Sequence, residues 1–307
     1  MKSIIRFFVF ASMLLSMVAC NPNEIYQDEL YKKVICVLSD DDQVFAIEHD
    51  LNDSVSVGYI SISCGGTNHI DKDAVVEIET DSLLLSKYNR LKFDLDSTKF
   101  AKKLDNWRFK IPTYSTVLKA NSTDSYAKIE IRIKPDGLSP DSVYMIPLRI
   151  KSVSQYEINP DKQNVLYRVF LKNDYAQQKV TSYYRMKGTR KEELASIASN
   201  ITSDKVFYPL SKNKVRTLVG TTAFQQKQAS LPEIDESGII LEILEDHTVN
   251  ITACGSLDIE MLGDPRDNRY EVVNGTQLFH LYYRYWGYSD TYKRFMWITM
   301  HETCTRQ

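Results

Sequence analysis

Glycine and proline are scarce in this chain, 11 and 9 of 307 residues, and no internal repeat runs through it, so collagen-like and low-complexity architectures are excluded. Cysteine is limited to five residues, too few for a scaffold held mainly by disulfides. A basic excess is also missing. Lys and Arg total 38 against 40 Asp and Glu, which removes the broad cationic face that nucleic-acid binding requires. Nor is there a long apolar run: Phe7 to Val18 has 12 residues, broken by Ser12 and Ser16. A helix needs about 20 to cross a bilayer, so this run does not make a permanent span. What is present is 43% hydrophobic and 25% charged, the composition of a globular chain, and its length suits two domains of roughly 150 residues each. The 19 Tyr and 12 Phe against 3 Trp favour β structure with polar-tipped side chains near the surface.

Residues 1–19 have the grammar of an export signal: Lys2 and Arg6, no acid, then the short apolar run. Their removal would leave 36 of the 38 basic side chains against 40 acids. Met17-Val18-Ala19-Cys20 resembles the bacterial lipobox, in which the cysteine receives a diacylglycerol thioether and becomes the new N-terminus. That resemblance makes Cys20 the lipid attachment site and residues 20–30 a polar, lipidated tether. The acidic Glu24, Asp28 and Glu29 resemble the surface-export signal of Bacteroidota lipoproteins, which implies an outer-membrane lipoprotein exposed on the cell surface.

From Tyr31 onward the hydrophobic period is two. Val34–Leu38 and Val44–Ile47 flank a turn at Ser39–Asp42 and read as a hairpin, and further strands are expected at 57–63, 75–79, 113–119, 127–134, 143–150 and 165–171. Ile129, Ile131 and Ile133 alternate with Glu130, Arg132 and Lys134, one face buried and one wet. Short helices are expected at 81–89 and 97–104. Some seven strands with no βαβ rhythm fit an immunoglobulin-like β-sandwich over residues 31–175. The polar stretch 173–187 marks the boundary. Beyond it, Thr189 and Glu192 have capping-box spacing ahead of Leu194, Ile197, Ala198 and Ile201, which predicts a helix. Strands then resume at 215–219, 239–244, 248–253, 257–261, 270–273, 279–285 and 295–300, making residues 176–307 a second mostly-β domain, a small barrel or jelly roll. The expected fold class is therefore all-β.

Four stretches, Tyr31–Leu51, Val57–Asp73, Ile133–Ser154 and Leu166–Ala176, together resemble the N-terminal sandwich domain of Bacteroides glycan-utilisation lipoproteins. In some members that domain stands in front of a chitinase-like barrel, and in others in front of a smaller β domain in surface glycan-binding proteins. Residues 176–307 number 132, whereas a (β/α)₈ barrel needs about 250, so the resemblance implies the binding version.

Catalytic signatures are sparse. His301-Glu302 opens like a zinc-protease helix, but Thr305 stands where the second histidine would be, and His49, His69, His247, His280 and His301 share no motif with a nucleophile. No catalytic residue, metal ligand or cofactor is assigned. Cys36, Cys64, Cys254 and Cys304 fall two to a domain, leaving disulfides or buried thiols open. Asp53-Ser54-Val55, Asp81-Ser82-Leu83 and Asp141-Ser142-Val143 resemble the O-glycan acceptor triplet of exported Bacteroides proteins, and equally suit turns and helix starts. The densest signal is Phe279–Trp297, nine aromatics in 19 residues. Alternation would bury Phe279, Leu281, Tyr283 and Tyr285 and turn His280, Tyr282, Arg284 and Trp286 outward, with Trp286–Tyr292 forming a hairpin loop. Flat rings there can stack on the C–H faces of sugars while polar neighbours bond hydroxyls, so Trp286, Tyr288, Tyr292, Arg284 and Asp290 are the candidate glycan-binding residues. Trp107 is expected to be a packing residue.

The reading that follows is a non-catalytic surface glycan-binding lipoprotein of a polysaccharide-utilisation system. Its partners would be a polysaccharide or oligosaccharide, the outer membrane through the lipid, and an outer-membrane glycan importer, with no nucleic acid. A glycan-active enzyme with a carboxylate pair in the C-terminal domain, or a structural or adhesive surface protein, are the alternatives.

Overall fold

The structure is a computed structural model that describes residues 29–122, 126–222 and 231–307. Cys20 lies outside the described residues. The first domain consists of β1 (Val34–Val37), β2 (Val44–Asp50), β3 (Ser56–Gly65), β4 (Ala74–Thr80), helix α1 (Ser82–Phe93), β5 (Lys102–Lys103), β6 (Phe109–Lys110), β7 (Ser115–Leu118), β8 (Tyr126–Ile133), β9 (Tyr144–Val153), β10 (Glu157–Ile158) and β11 (Asn164–Lys172). One sheet has the order β10-β1-β3-β8-β6. The other has the order β2-β11-β9-β4-β7, with β5 alongside β9. The expected alternation is observed: Ile129, Ile131 and Ile133 of β8 are buried with Ile60 and Ile62 of β3, against Ile146, Leu148 and Val169 of the facing sheet. Each such side chain contributes about 1.5–3 kcal/mol on burial. The result is the all-β, immunoglobulin-like sandwich that the strand spacing indicates.

Several local expectations change. β1 and β2 are not a hairpin: Val34–Val37 pairs with β3, while Val44–Asp50 runs parallel to β11 in the other sheet. The turn at Ser39–Asp42 carries the chain between layers, since each strand finds a longer partner elsewhere. The first expected helix forms, because the Asp81 carboxylate accepts from Leu83 N at 3.0 Å and caps it. Its buried Leu85 packs on Met145 and Leu166, on the outer side of the second sheet. The second does not form. Ser97–Lys99 is a single 3₁₀ turn and Lys102–Lys103 is a strand, held by the Asn89 side chain, which bonds both the N and the O of Ala101 at 2.9 Å.

The second domain consists of β12 (Ser182–Glu192), β13 (Ser199–Ser211), β14 (Lys214–Leu218), α2 (Leu231–Ser237), β15 (Gly238–Ile243), β16 (Val249–Ala253), β17 (Ile259–Met261), β18 (Arg269–Val273), β19 (Thr276–Ser289) and β20 (Arg294–Arg306). The order is β16-β15-β14-β13-β12-β20-β19-β17, with β18 also on β19. The sheet curls until its ends meet: Val249 N donates to Asn268 O and Tyr270 N to His247 O, both at 2.8 Å. A barrel is therefore built rather than a jelly roll. Gly188 lets two strands coil tightly, for a Cβ there would lie 2.1 Å from the His301 carbonyl oxygen. The helix expected from Thr189 onward is absent. Thr189 pairs with Asn200 and His301 inside β12, and Leu194 and Ile197 sit exposed in the turn that follows. The alternation also resumes within 173–187, with Tyr184 and Met186 buried.

The domains are bolted together. Asn173 Nδ2 donates to Ser211 O at 2.7 Å and Lys214 O at 3.0 Å, and Gln178 Nε2 to Pro140 O at 2.7 Å. Arg216 of β14 grips the Asp141 carboxylate with both terminal nitrogens, one contact being 2.6 Å. Asp81 and Asp141 are thus committed to a helix cap and a domain junction, while the acceptor serines Ser54 and Ser82 are exposed and Ser142 is half-buried.

Candidate functional site

The long hairpin of β19 and β20 positions the aromatic cluster. Its inward residues Phe279, Leu281, Tyr283, Met296, Ile298, Met300 and Cys304 are buried, and its outward residues form ladder pairs. Trp286 and Tyr288 are strand residues rather than loop residues, because pairing continues to Ser289↔Arg294. The turn is confined to residues 290–293. Buried Ser289 accepts from Tyr292 N at 3.1 Å, and Lys293 closes the turn in the left-handed region at φ 51°.

Cross-strand register sets Trp286 against Trp297, with ring centroids 5.6 Å apart at 75°, and Tyr288 against Phe295, 5.4 Å apart at 72°. Both are edge-to-face contacts, which hold the rings without burying them. Trp286, Tyr288 and Phe295 remain 40%, 49% and 57% exposed, a contiguous apolar patch of the kind that marks an interaction surface. Arg284, next along the strand, lies 4.5 Å above the Trp297 ring centroid and bonds Glu260 of β17 through Nε at 2.7 Å. Trp286 N donates to Asp258 O at 2.9 Å, tying the platform to the residue that leads into the neighbouring strand β17. Further along the same face stand Tyr282 beside His301, and His280 with Nε2 2.7 Å from Glu271 Oε1. The His280 hydrogen bond holds the Glu271 carboxyl below its usual range, the reverse of what a general acid needs.

Of the five candidate residues, Trp286, Tyr288 and Arg284 share this face. Tyr292 and Asp290 lie on the turn at its end, where Asp290 is 3.6 Å from Lys293 Nζ. Trp297 and Phe295, counted in the aromatic stretch but not among the five candidates, belong to the same surface, as does Glu260. Trp297 and Phe295 could have been found by extending the period-two alternation past Tyr285 and folding it back on itself. Trp107, expected to pack inside, is 63% exposed on the first domain. Among the described residues, no group of three His, Cys, Asp or Glu side chains is arranged to hold a metal. Cys36, Cys64, Cys254 and Cys304 are free thiols, and burial pushes Cys254 up to about 11.

A family model for an N-terminal domain matches residues 23–157, and a family model for a C-terminal domain matches residues 163–305. No curated protein matches the chain. Among solved structures, a protein of unknown function from Bacteroides ovatus aligns at 15% identity and TM-score 0.66, over 89% of this chain and 94% of that one. A multidomain protein including DUF1735 from Bacteroides ovatus aligns at 13% and 0.60, over 88% and 93%. An auxiliary nutrient binding protein from Bacteroides thetaiotaomicron aligns at 14% and 0.57, over 87% and 92%. At these identities the likeness is one of fold, and it extends through both domains. The chain therefore belongs to the families of these N-terminal and C-terminal domain models, one domain following the other, and shares its two-domain fold with the Bacteroides structures.

Proposed function

We propose that the protein is a non-catalytic glycan-binding lipoprotein, anchored through Cys20 in the outer membrane and displayed on the cell surface, where it hands polysaccharide to a neighbouring importer. The observation that carries this reading is the set of exposed rings Trp286, Tyr288 and Phe295 beside half-buried Trp297, with Arg284, bonded to Glu260, over the Trp297 ring. Rings fixed by cross-strand partners lose little entropy on binding and offer flat apolar area to sugar C–H faces. Arg284 and Glu260 beside them would bond hydroxyls. A fold shared with an auxiliary nutrient binding protein supports the same class of activity.

Affinity electrophoresis of the chain from residue 21 onward, against a panel of host and plant polysaccharides, tests the reading. Retardation by at least one polymer is expected, with its loss in Trp286→Ala and Trp297→Ala. Product release from any polymer would instead favour a glycan-active enzyme, and capture of a surface protein without sugar competition an adhesive role. The address is tested separately. Cys20→Ala should abolish incorporation of labelled palmitate, and protease added to whole cells should shave the wild-type protein.

A further inference from the structure

The first domain carries a second surface that the barrel reading does not use. Outward residues of β3 and β8, with the loop that enters β6, line an open groove of about 780 Å³. Its exposed apolar lining is Val55, Val57, Tyr59 and Trp107, which are 41%, 46%, 41% and 63% exposed, with half-buried Phe109 beside them. Trp107 is held outward by construction. It sits in the 3₁₀ turn Asn106–Arg108, and the Arg108 guanidinium stacks 4.3 Å from its ring centroid while donating to Asp136 O at 2.5 Å. Lys134 N donates to Arg108 O at 2.8 Å, so the loop is clipped to the end of β8.

Charge decides the occupant. On a chain of net charge −2, this lining brings together Arg108, Lys110, Arg132 and Lys134 with Glu130 as its carboxylate. Arg132 is neutralised by Glu130 at 2.5 Å, whereas exposed Lys110 and Lys134 make no ion pair among the described residues. Lys128 Nζ adds a further cation 5.7 Å from the Tyr59 ring centroid. A groove with an aromatic and aliphatic floor and a fringe of unpaired ammonium groups complements a ligand that has apolar faces and fixed negative charge. An acidic peptide is the poorer fit. Strand addition needs a run of free backbone groups, and the bordering edge strand β6 is only Phe109–Lys110.

We infer that this groove is a second saccharide site, independent of the barrel platform and selective for an acidic glycan, one bearing uronate carboxylates or sulfate esters. Trp107 and Tyr59 stack on the sugar rings while Lys110 and Lys134 take the charges. The test is affinity electrophoresis and calorimetry of the chain from residue 21 onward. The probes are polygalacturonate for carboxylate alone, chondroitin sulfate for carboxylate with sulfate, dextran as a neutral polymer, and polyglutamate as an acidic peptide. At least one anionic polysaccharide is expected to bind. Affinity should fall at least about tenfold in both Lys110→Glu/Lys134→Glu and Trp107→Ala, and stay unchanged in Trp286→Ala/Trp297→Ala. All these positions are on the surface, and an unchanged thermal transition verifies folding.

Absence of binding to both anionic polysaccharides overturns the proposal, and so does binding that is indifferent to Trp107→Ala, which would be generic charge attraction. Equal competition by polyglutamate, or loss only in the barrel variants, overturns it as well. Retention of a neutral glycan through Trp286 and Trp297 without any acidic binding would sink this inference alone. Acidic binding with no barrel-dependent ligand would sink the barrel reading alone.

Discussion

The sandwich is filled by isoleucine, valine and leucine, with a His49–Tyr167 hydrogen bond of 2.8 Å among them, while the barrel interior adds to its aliphatic residues a cluster of aromatic rings and a buried charge pair. In the barrel, Tyr184 stacks on Phe207 at 4.1 Å, Phe279 packs edge-on and tilted against both, and a Lys205–Glu302 pair of 2.5 Å is sealed at 1% and 0% side-chain exposure. Tyr283 donates to the same Glu302 oxygen at 3.2 Å and accepts from Gly220 N at 3.1 Å. Two sheets facing each other at about 10 Å can be joined by branched aliphatic side chains from both sides. A sheet curled on itself leaves a wider space that needs long side chains reaching inward, and their polar tips must then find one another. Most strands of both domains alternate in and out, β9 and β14 being buried on both faces over part of their length, so the difference lies in what each enclosed shape demands of the inward residues.

The sharpest way to break the contrast is to leave one half of the buried pair alone. Glu302→Ala strands the Lys205 ammonium with no water and no partner, and should cost about 3–5 kcal/mol of barrel stability in denaturant unfolding. Lys205→Met with Glu302→Leu removes both charges at similar volume and should lie near neutral, which would show that the barrel can be made as dry as the sandwich. A loss below about 1 kcal/mol in Glu302→Ala would mean the pair is hydrated in solution.

The sandwich has its own polar weak point, and it responds to pH. Burial holds the His49 imidazole neutral in the folded state and lowers its pKa to about 4, against an ordinary value of 6.5. The unfolded chain therefore binds the extra proton first as pH falls. Stability is full above about pH 6.5 and declines down to about pH 4, by on the order of 3 kcal/mol in all. Thermal unfolding followed across that window should show the slope, and His49→Gln should flatten it. An identical slope in the variant would assign the effect to another group. A smaller effect is expected at the junction. Arg216→Ala leaves Asp141 without its bidentate partner and should cost about 2 kcal/mol, separating one calorimetric transition into a sandwich step and a barrel step.

How far such features can be read from sequence follows from the range of the interaction that makes them. Ile129, Ile131 and Ile133 announce a strand because period two is local. Asp81 announces a helix start because its cap bond spans two residues. Partner choice is not local. The turn at Ser39–Asp42 is real, yet Val37 pairs with Ile62 and Val44 with Leu166, so no hairpin forms around it. Leu194, Ile197, Ala198 and Ile201 have helical spacing, but Leu194 and Ile197 are exposed in a turn while Ile201 reaches the barrel core from strand β13. β20 draws the preceding residues into a strand instead. The candidate site divides the same way. Aromatic density exposes Trp286 and Tyr288 in the sequence, whereas Trp297 and Phe295 join them only through the cross-strand register, and Trp107 turns outward because of an arginine bond to a carbonyl 28 residues away.

The finest test of the inside-outside contrast uses one strand pair and two faces. Phe279→Ala empties a fully buried position among Tyr184, Phe207 and Tyr270 and should cost about 3–5 kcal/mol. Trp286→Ala removes a ring of greater size from the opposite face of the same strand. It forfeits an edge-to-face contact and some cross-strand area, so the expected loss is under about 1 kcal/mol by chemical denaturation. If Trp286→Ala instead destabilises the barrel as much as Phe279→Ala does, the outer rings are structural. The platform would then have to be explained as part of the fold rather than as a surface kept free for sugar.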